Sequence, residues 1–482
     1  MNEKSLAINA AFNSIHKVIN LIFPIVSSIY VSHILLASGI GRIGIAQNMV
    51  QYFVVIAPLG IPNYGTREIA KVRDNLSKTN KLFTELSLIN FISTCICLLF
   101  YYTSILSVGR FASERLLYIV CGIPIICNLF NIEWFFQGQE EYVYISIRNI
   151  IVKLISLVLI LVFVRDSSDY NIYALIYACG LGANHVFNVI RLRRFNLKLD
   201  FSKLNIRRHL RPITILLCST IAIELYTLLD TTMLGVMTSE EVVGYYANSI
   251  KLNKIVVGLI AAIAGVLLPR LSYYHKNGLQ KKCSELVSTI TNLMIFLVLP
   301  AATGIFLLAD NIVPLFFGKS FLPAVLTTRI GVGIVLVLGF SNLFGTQVLL
   351  TYDKEKILLL ATILGASSNM CMNALLIPRL QQNGAIIASV VSETLVTIIT
   401  YIAAKKYLTI SIDLFACVKS VIGCAIMSGG IILVKQFEYG YLFTTFISIF
   451  IGVIIYIGVN IIFKNSNLYF LLDLITKRNQ QS

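Results

Sequence analysis

Lys153, Lys251 and Lys254 stand in stretches otherwise built from isoleucine, leucine, valine and glycine. A cation in such surroundings is costly to bury unless a partner, a water-filled cavity or a ligand compensates it. Lys251 and Lys254 are three residues apart, which places them on one face of a helix. Counting outward from the turn near Thr238 puts Glu224 at matched depth on the preceding helix. One Glu–Lys pair then forms and one ammonium is left over, a surplus suited to an anionic ligand. Lys153 is equally deep, and the span before it holds no acid at that depth. Arg148 lies shallower, where Glu133 is its natural partner. Arg67, in GTREIAK, sits at a helix end, within reach of lipid headgroups or of the same anion.

Carboxylates at membrane depth suggest a second kind of chemistry. A buried acid is the usual carrier of a coupling proton or sodium ion. Asp230 lies about two turns from the outer side, and Glu393 sits mid-span with no basic residue at its depth on its own span or the one before. These two rank above Glu224, which is expected to hold a lysine in place. His33 and His185 are lone histidines and read as packed or snorkelling. The ten cysteines lie almost all in apolar runs with no metal-ligand or disulfide spacing. There is no phosphate-binding glycine loop and no long loop carrying paired carboxylates, so neither an ATP-driven pump nor an enzyme is expected. No cofactor is expected beyond a coupling Na⁺ or H⁺.

The elements that position these residues must be membrane helices. The 482 residues are 57% hydrophobic and only 13% charged, about half the charged fraction of soluble domains. That excludes a soluble enzyme, and it excludes a nucleic-acid binder despite the net charge of +16. Apolar runs define fourteen spans: 10–36, 41–66, 82–107, 116–137, 143–164, 170–191, 211–236, 241–269, 284–308, 322–351, 356–377, 384–404, 414–434 and 440–463. The first follows the N-terminus directly, with no cleavage site expected before it. With the N-terminus cytoplasmic, the inner loops and helix ends hold 28 Lys and Arg against 8 outside. This is the bias of a cytoplasmic face, and it places both termini on the cytoplasmic side of the membrane.

An internal repeat organises the spans. Gly44 and Asn48 recur as Gly244 and Asn248, Glu85-Leu86 as Glu285-Leu286, and Asn128-Leu129-Phe130 as Asn342-Leu343-Phe344. An offset of six spans makes the halves parallel, a common transporter plan with the site between two bundles. The domains expected are an N-lobe over 1–200, a C-lobe over 201–410, and a final helix pair with a cytoplasmic tail over 411–482. Pro24, Pro58, Pro62 and Pro300 mark helix breaks suited to alternating access.

Three stretches carry a family resemblance: EWFFQGQEEYVYISIRNIIVKL (133–154), PNYGTREIAKVRDN (62–75) and VGYYANSIKLNKIVVGLIAAIAGVLLPRLS (243–272), with FPIVSSIYVSHIL at the start. Together they resemble bacterial polysaccharide transporters, the O-antigen and capsule repeat-unit flippases of the multidrug/oligosaccharidyl-lipid/polysaccharide superfamily. The resemblance covers roughly 1–410. His33 departs from it, standing where that opening has arginine. It implies an all-α, polytopic, MATE-like fold of two six-helix lobes with two extra C-terminal helices. The implied cargo is an undecaprenyl-pyrophosphate-linked oligosaccharide moved from the inner to the outer leaflet, and the implied partners are the bilayer, the polymerase and the chain-length machinery. Lys251, Lys254, Lys153, Arg148 and Arg67 are then the candidate pyrophosphate contacts. The rival reading, a cation-coupled multidrug exporter of the same superfamily, expects an acidic, aromatic cavity in place of the lysines.

Overall fold

The computed structural model describes the backbone of residues 3–202, 204–265, 268–437 and 439–479. Of the basic residues used for topology, Lys203 and the side chains of Lys4, Lys17, Lys477 and Arg478 lie outside the described set. Among the described residues there is no β-strand. Seventeen α-helices follow one another: α1 (Glu3–Ile56), α2 (Ile61–Val72), α3 (Leu76–Ser107), α4 (Arg115–Cys121), α5 (Ile123–Cys127), α6 (Glu133–Gly138), α7 (Tyr142–Phe163), α8 (Tyr170–Leu192), α9 (Arg207–Met237), α10 (Glu240–Gly265), α11 (Leu268–Lys276), α12 (Gln280–Phe317), α13 (Ala324–Ser341), α14 (Glu355–Ala404), α15 (Leu414–Lys435), α16 (Gly440–Ile462) and α17 (Ser466–Asn479).

Length alone dictates two interruptions. Straight helices of 54 and 50 residues would run about 75–80 Å, against a hydrocarbon core of about 30 Å. Accordingly α1 is broken at Leu36 (φ 58°) and α14 at Gln381 (φ 49°), each in the left-handed region. Leu36 is the last residue of expected span 1, and Gln381 falls in the gap between expected spans 11 and 12. In α14 the chain doubles back on itself: a Cβ added at Gly365 would stand 3.6 Å from the Ser392 carbonyl oxygen, and one at Gly384 2.6 Å from the backbone of Leu376. Among the described residues nine helical stretches are long and apolar enough to cross a membrane, and two of them are these interrupted ones. Shorter apolar helices cover Arg115–Phe130 and Thr227–Met237. The protein is thus a polytopic, multi-pass membrane protein, and each of the fourteen spans read from hydropathy has a helical counterpart.

Span 4 differs from expectation. In place of one helix over 116–137, the chain forms α4, α5, a 3₁₀ turn at Asn128–Phe130, and α6. Pro124 has no N–H to donate, and asparagines satisfy the backbone left over. Asn90 Nδ2 donates to the Asn128 carbonyl at 2.7 Å, and Asn128 Nδ2 donates to Thr94 Oγ1 at 2.8 Å. Trp134 Nε1 donates to the Asn131 carbonyl at 3.1 Å. The repeated triplet marks the same event in the second half, where Asn342–Leu349 is wound as a π-helix continuing α13. The Asn-Leu-Phe repeat therefore marks helix irregularities at corresponding places.

Packing divides the chain into two units, Met1–Gly235 and Val236–Ser482. In the first, Asn48 and Tyr52 of α1 meet Thr232 of α9, each at 2.7 Å. An apolar core between α1, α3, α4, α5 and α7 includes Val31, Leu35, Tyr101, Leu117, Ile125 and Ile160. In the second, α12, α13 and the latter part of α14 enclose Val287, Met294, Val335 and Phe344. The C-terminal pair α15–α16 packs on α12, where Tyr456 donates to the Phe296 carbonyl at 2.7 Å.

Candidate functional site

Two of the family-like stretches are a single packed object. An added Cβ at Gly65 of α2 would stand 2.7 Å from the Trp134 ring of α6, and one at Gly138 the same distance from Ile69. Only glycine permits this approach, so the G of PNYGTREIAK and the W and G of EWFFQG are fixed by one another. Trp134, Phe135, Phe136 and Phe83 fill the core beneath them.

Arg148 is buried on α7 beside this core. Its guanidinium donates to Glu133 at 2.6 Å, to Asn184 at 3.0 Å and to Asn188. It also stacks 5.6 Å from the Tyr144 ring centre, with Arg191 at 4.9 Å from the same ring. The expected Arg148–Glu133 pair is therefore formed, and most of the guanidinium's donors are taken up inside the unit. Lys153, five residues on, is half-buried with its ammonium 5.3 Å from the Phe23 ring centre. Arg67 is exposed in the middle of α2 and not at the helix end expected from the sequence, because α2 continues to Val72; it stands 3.3 Å from Glu68, which also receives Lys71 at 2.8 Å. Asp230 is buried in α9, and Glu224, two turns earlier, is half-buried.

Sequence reasoning missed a buried acid near the start of α3 in the first unit. Glu85 is fully enclosed and receives Arg208 at 2.5 Å, His209 Nε2 at 2.9 Å and the Asn205 amide at 2.7 Å. The other ring nitrogen of His209 hydrogen-bonds Tyr64 Oη at 2.8 Å. This node pins the start of α9 to α2 and α3. Its repeat counterpart Glu285 is exposed, so of the two repeated glutamates Glu85 alone is buried.

In the second unit α10 has two polar faces. Asn248, Ser249 and Asn253 are buried, and the Asn253 amide donates to the Ser249 and Thr328 carbonyls at 3.0 and 3.3 Å. At 100° per residue, Lys251 and Lys254 fall on the opposite side, away from the packing of their own unit. Lys251 is half-buried and Lys254 exposed. Glu393 is buried on α14 with Ser389 and Ser392, and the doubling back of that helix brings Asn369 and Asn373 alongside, Asn373 donating to Asn369 at 3.0 Å. These asparagines were invisible to a search for charges.

The helices, the two units and the C-terminal pair define a polytopic membrane protein of MATE-like fold. The chain superposes on the lipid II flippase MurJ in its inward closed conformation with a TM-score of 0.75 at 14% identity, covering 97% of this chain and 100% of that one. It superposes on an inward-facing multidrug resistance MATE family transporter of the MOP superfamily with a TM-score of 0.60 at 13% identity, covering 83% and 97%. More particularly, the chain belongs to the polysaccharide biosynthesis protein family, whose model matches residues 6–275. The putative O-antigen transporter of Escherichia coli (strain K12) is similar to it, 25% identical over 407 residues, which are 82% of this chain and 96% of that one.

Proposed function

We propose that the chain is a flippase that moves an undecaprenyl-pyrophosphate-linked oligosaccharide, an O-antigen, capsule or exopolysaccharide repeat unit, from the cytoplasmic to the outer leaflet by alternating access. The likeness across nearly the whole length of a putative O-antigen transporter carries the reading. The lysine face of α10 supports it, since a pyrophosphate needs cations and a cation-coupled drug exporter does not. Lys251, Lys254 and Lys153 are the proposed pyrophosphate contacts. Arg148 acts chiefly by holding α6, α7 and α8 together, and Arg67 meets headgroups or incoming cargo at the inner rim. Polymerase and chain-length proteins receive the product. Cells lacking the protein accumulate lipid-linked repeat units accessible only from the cytoplasm; unchanged surface polysaccharide in such cells contradicts the proposal.

Both termini are cytoplasmic in this reading, in a bacterial inner membrane. Three of the eight outer-side cations are taken up by acids: Arg42 by Glu114 at 3.0 Å, and Arg329 and Lys435 by Asp310 at 2.5 and 3.2 Å. Reporter fusions ending at Gln381 or Tyr439 should read as external, and a cytoplasmic signal at either breaks the assignment.

Asp230 and Glu393 are the proposed coupling carboxylates, with Glu224 positioning a lysine. With an imposed proton or sodium gradient, reconstituted protein is expected to lose gradient stimulation on Asp230→Asn or Glu393→Gln while keeping basal equilibration. If both variants keep stimulated transport, neither carboxylate couples and cargo is drawn across by downstream polymerisation.

A further inference from the structure

One extended segment in each unit is pinned along a helix by matching bonds. In the first unit the Lys198 and Asp200 amides donate to Asn80 Oδ1 and Thr84 Oγ1 of α3 at 3.2 and 2.9 Å, and the Asn205 amide to Glu85. In the second, the Thr409, Ser411 and Asp413 amides donate to Ser284, Ser288 and Asn292 of α12 at 3.1, 3.0 and 2.9 Å, and Gln280 donates to the Tyr407 carbonyl. Asn80 and Gln280, like Thr84 and Ser284, stand 200 positions apart, the offset of the repeat. The bonds thereby align Asp200 with Thr409, and so Leu199 with Leu408 and Phe201 with Ile410.

At these aligned positions the two straps are decorated oppositely. Leu408 and Ile410 are 3% and 7% exposed and belong to the core of their unit. Leu199 and Phe201 are 60% and 62% exposed. Pinning therefore requires no outward apolar pair. The first strap is also basic: residues 193–211 contain seven Lys or Arg and one acid, Asp200. Arg208 is given to Glu85, while Arg193, Arg194, Lys198, Arg207 and Arg211 are exposed and form no ion pair among the described residues. The strap lies along the first turns of α3 and leads into the start of α9.

We infer that this strap is a membrane-surface foot that binds anionic phospholipid headgroups. Leu199 and Phe201 enter the boundary between headgroups and acyl chains, and the flanking guanidinium and ammonium groups meet lipid phosphates. Apolar side chains set among cations on an extended segment match an anionic bilayer surface. The foot holds the connection between the halves against the bilayer, whatever cargo the chain carries.

Full-length protein carrying Phe201→Trp tests this, with the wild type, whose single Trp134 is buried, as background. In nanodiscs of phosphatidylglycerol, the added emission is expected to be blue-shifted and quenched by interfacially brominated lipid. Quenching is expected to be about twofold stronger than in phosphatidylcholine and to fall at high salt. Arg193→Gln, Arg194→Gln and Lys198→Gln together should bring the two lipids level. Amide exchange of residues 199–201 in the wild type, slower in phosphatidylglycerol, gives the same comparison without the tryptophan. Solvent-like, unquenched emission in phosphatidylglycerol, or equal behaviour in both lipids, overturns the inference, as does protection that arises only when a second protein is added.

Discussion

Replacing Lys251 and Lys254 together by alanine is expected to abolish repeat-unit export while the protein remains in the membrane at its normal level. Each ammonium lost removes a charge-assisted contact of about 1.5–3 kcal/mol, and every 1.4 kcal/mol is about tenfold, so the pair together accounts for a loss of roughly a hundredfold or more. Stability should change little. The face of α10 that packs within its own unit is the opposite one, built from Asn248, Ser249, Leu252 and Asn253. Arginine at both positions should restore part of the activity, because a lysine that meets phosphate acts mainly as a point charge. Surface polysaccharide on a null strain carrying each variant, with immunoblots of the membrane fraction, makes the measurement. Normal export by the double alanine variant removes the lysines from the mechanism.

Arg148→Ala has the largest expected effect on folding. The guanidinium satisfies Glu133, Asn184 and Asn188 at once. Removing it strands a carboxylate and two amide oxygens between α6, α7 and α8. Breaking a buried pair from one side costs about 3–5 kcal/mol, seen as a lowered unfolding temperature of the detergent-solubilised protein. Arg148→Met combined with Glu133→Gln should recover part of that loss, since neither charge is then left buried without the other. A single alanine variant as stable as the wild type contradicts the assignment of Arg148 as an internal clamp.

What could be read from the residues alone follows from what a bilayer demands. It demands long apolar runs, so the spans were legible, and so were the turns at Leu36, where one run ends, and at Gln381, in the gap between two. Depth counting also found the Arg148–Glu133 pair, because both residues lie near the same end of neighbouring spans. The breaks within span 4 were not legible, since hydropathy does not register that Asn90 satisfies the carbonyl of Asn128. Glu85 escaped for the same reason. Its partners arrive from the linker more than a hundred residues later, and no periodicity along α3 announces them. The straps were half legible: Gln280, Ser284, Ser288 and Asn292 are a visible polar stripe at intervals of four, but the backbone they hold is known only from the fold.

The central claim is that this transporter carries a lipid-linked oligosaccharide and grips its pyrophosphate with the lysine face of α10. The most direct measurement follows an undecaprenyl-pyrophosphate-linked oligosaccharide in proteoliposomes, scoring how fast the sugar placed on one leaflet becomes open to, or protected from, an impermeant oxidant or lectin. The account predicts exchange between leaflets well above the protein-free rate with the wild-type chain, and exchange near the protein-free rate with the Lys251→Ala, Lys254→Ala variant. Exchange no faster than in protein-free vesicles with the wild type, or equal in wild type and variant, would contradict it.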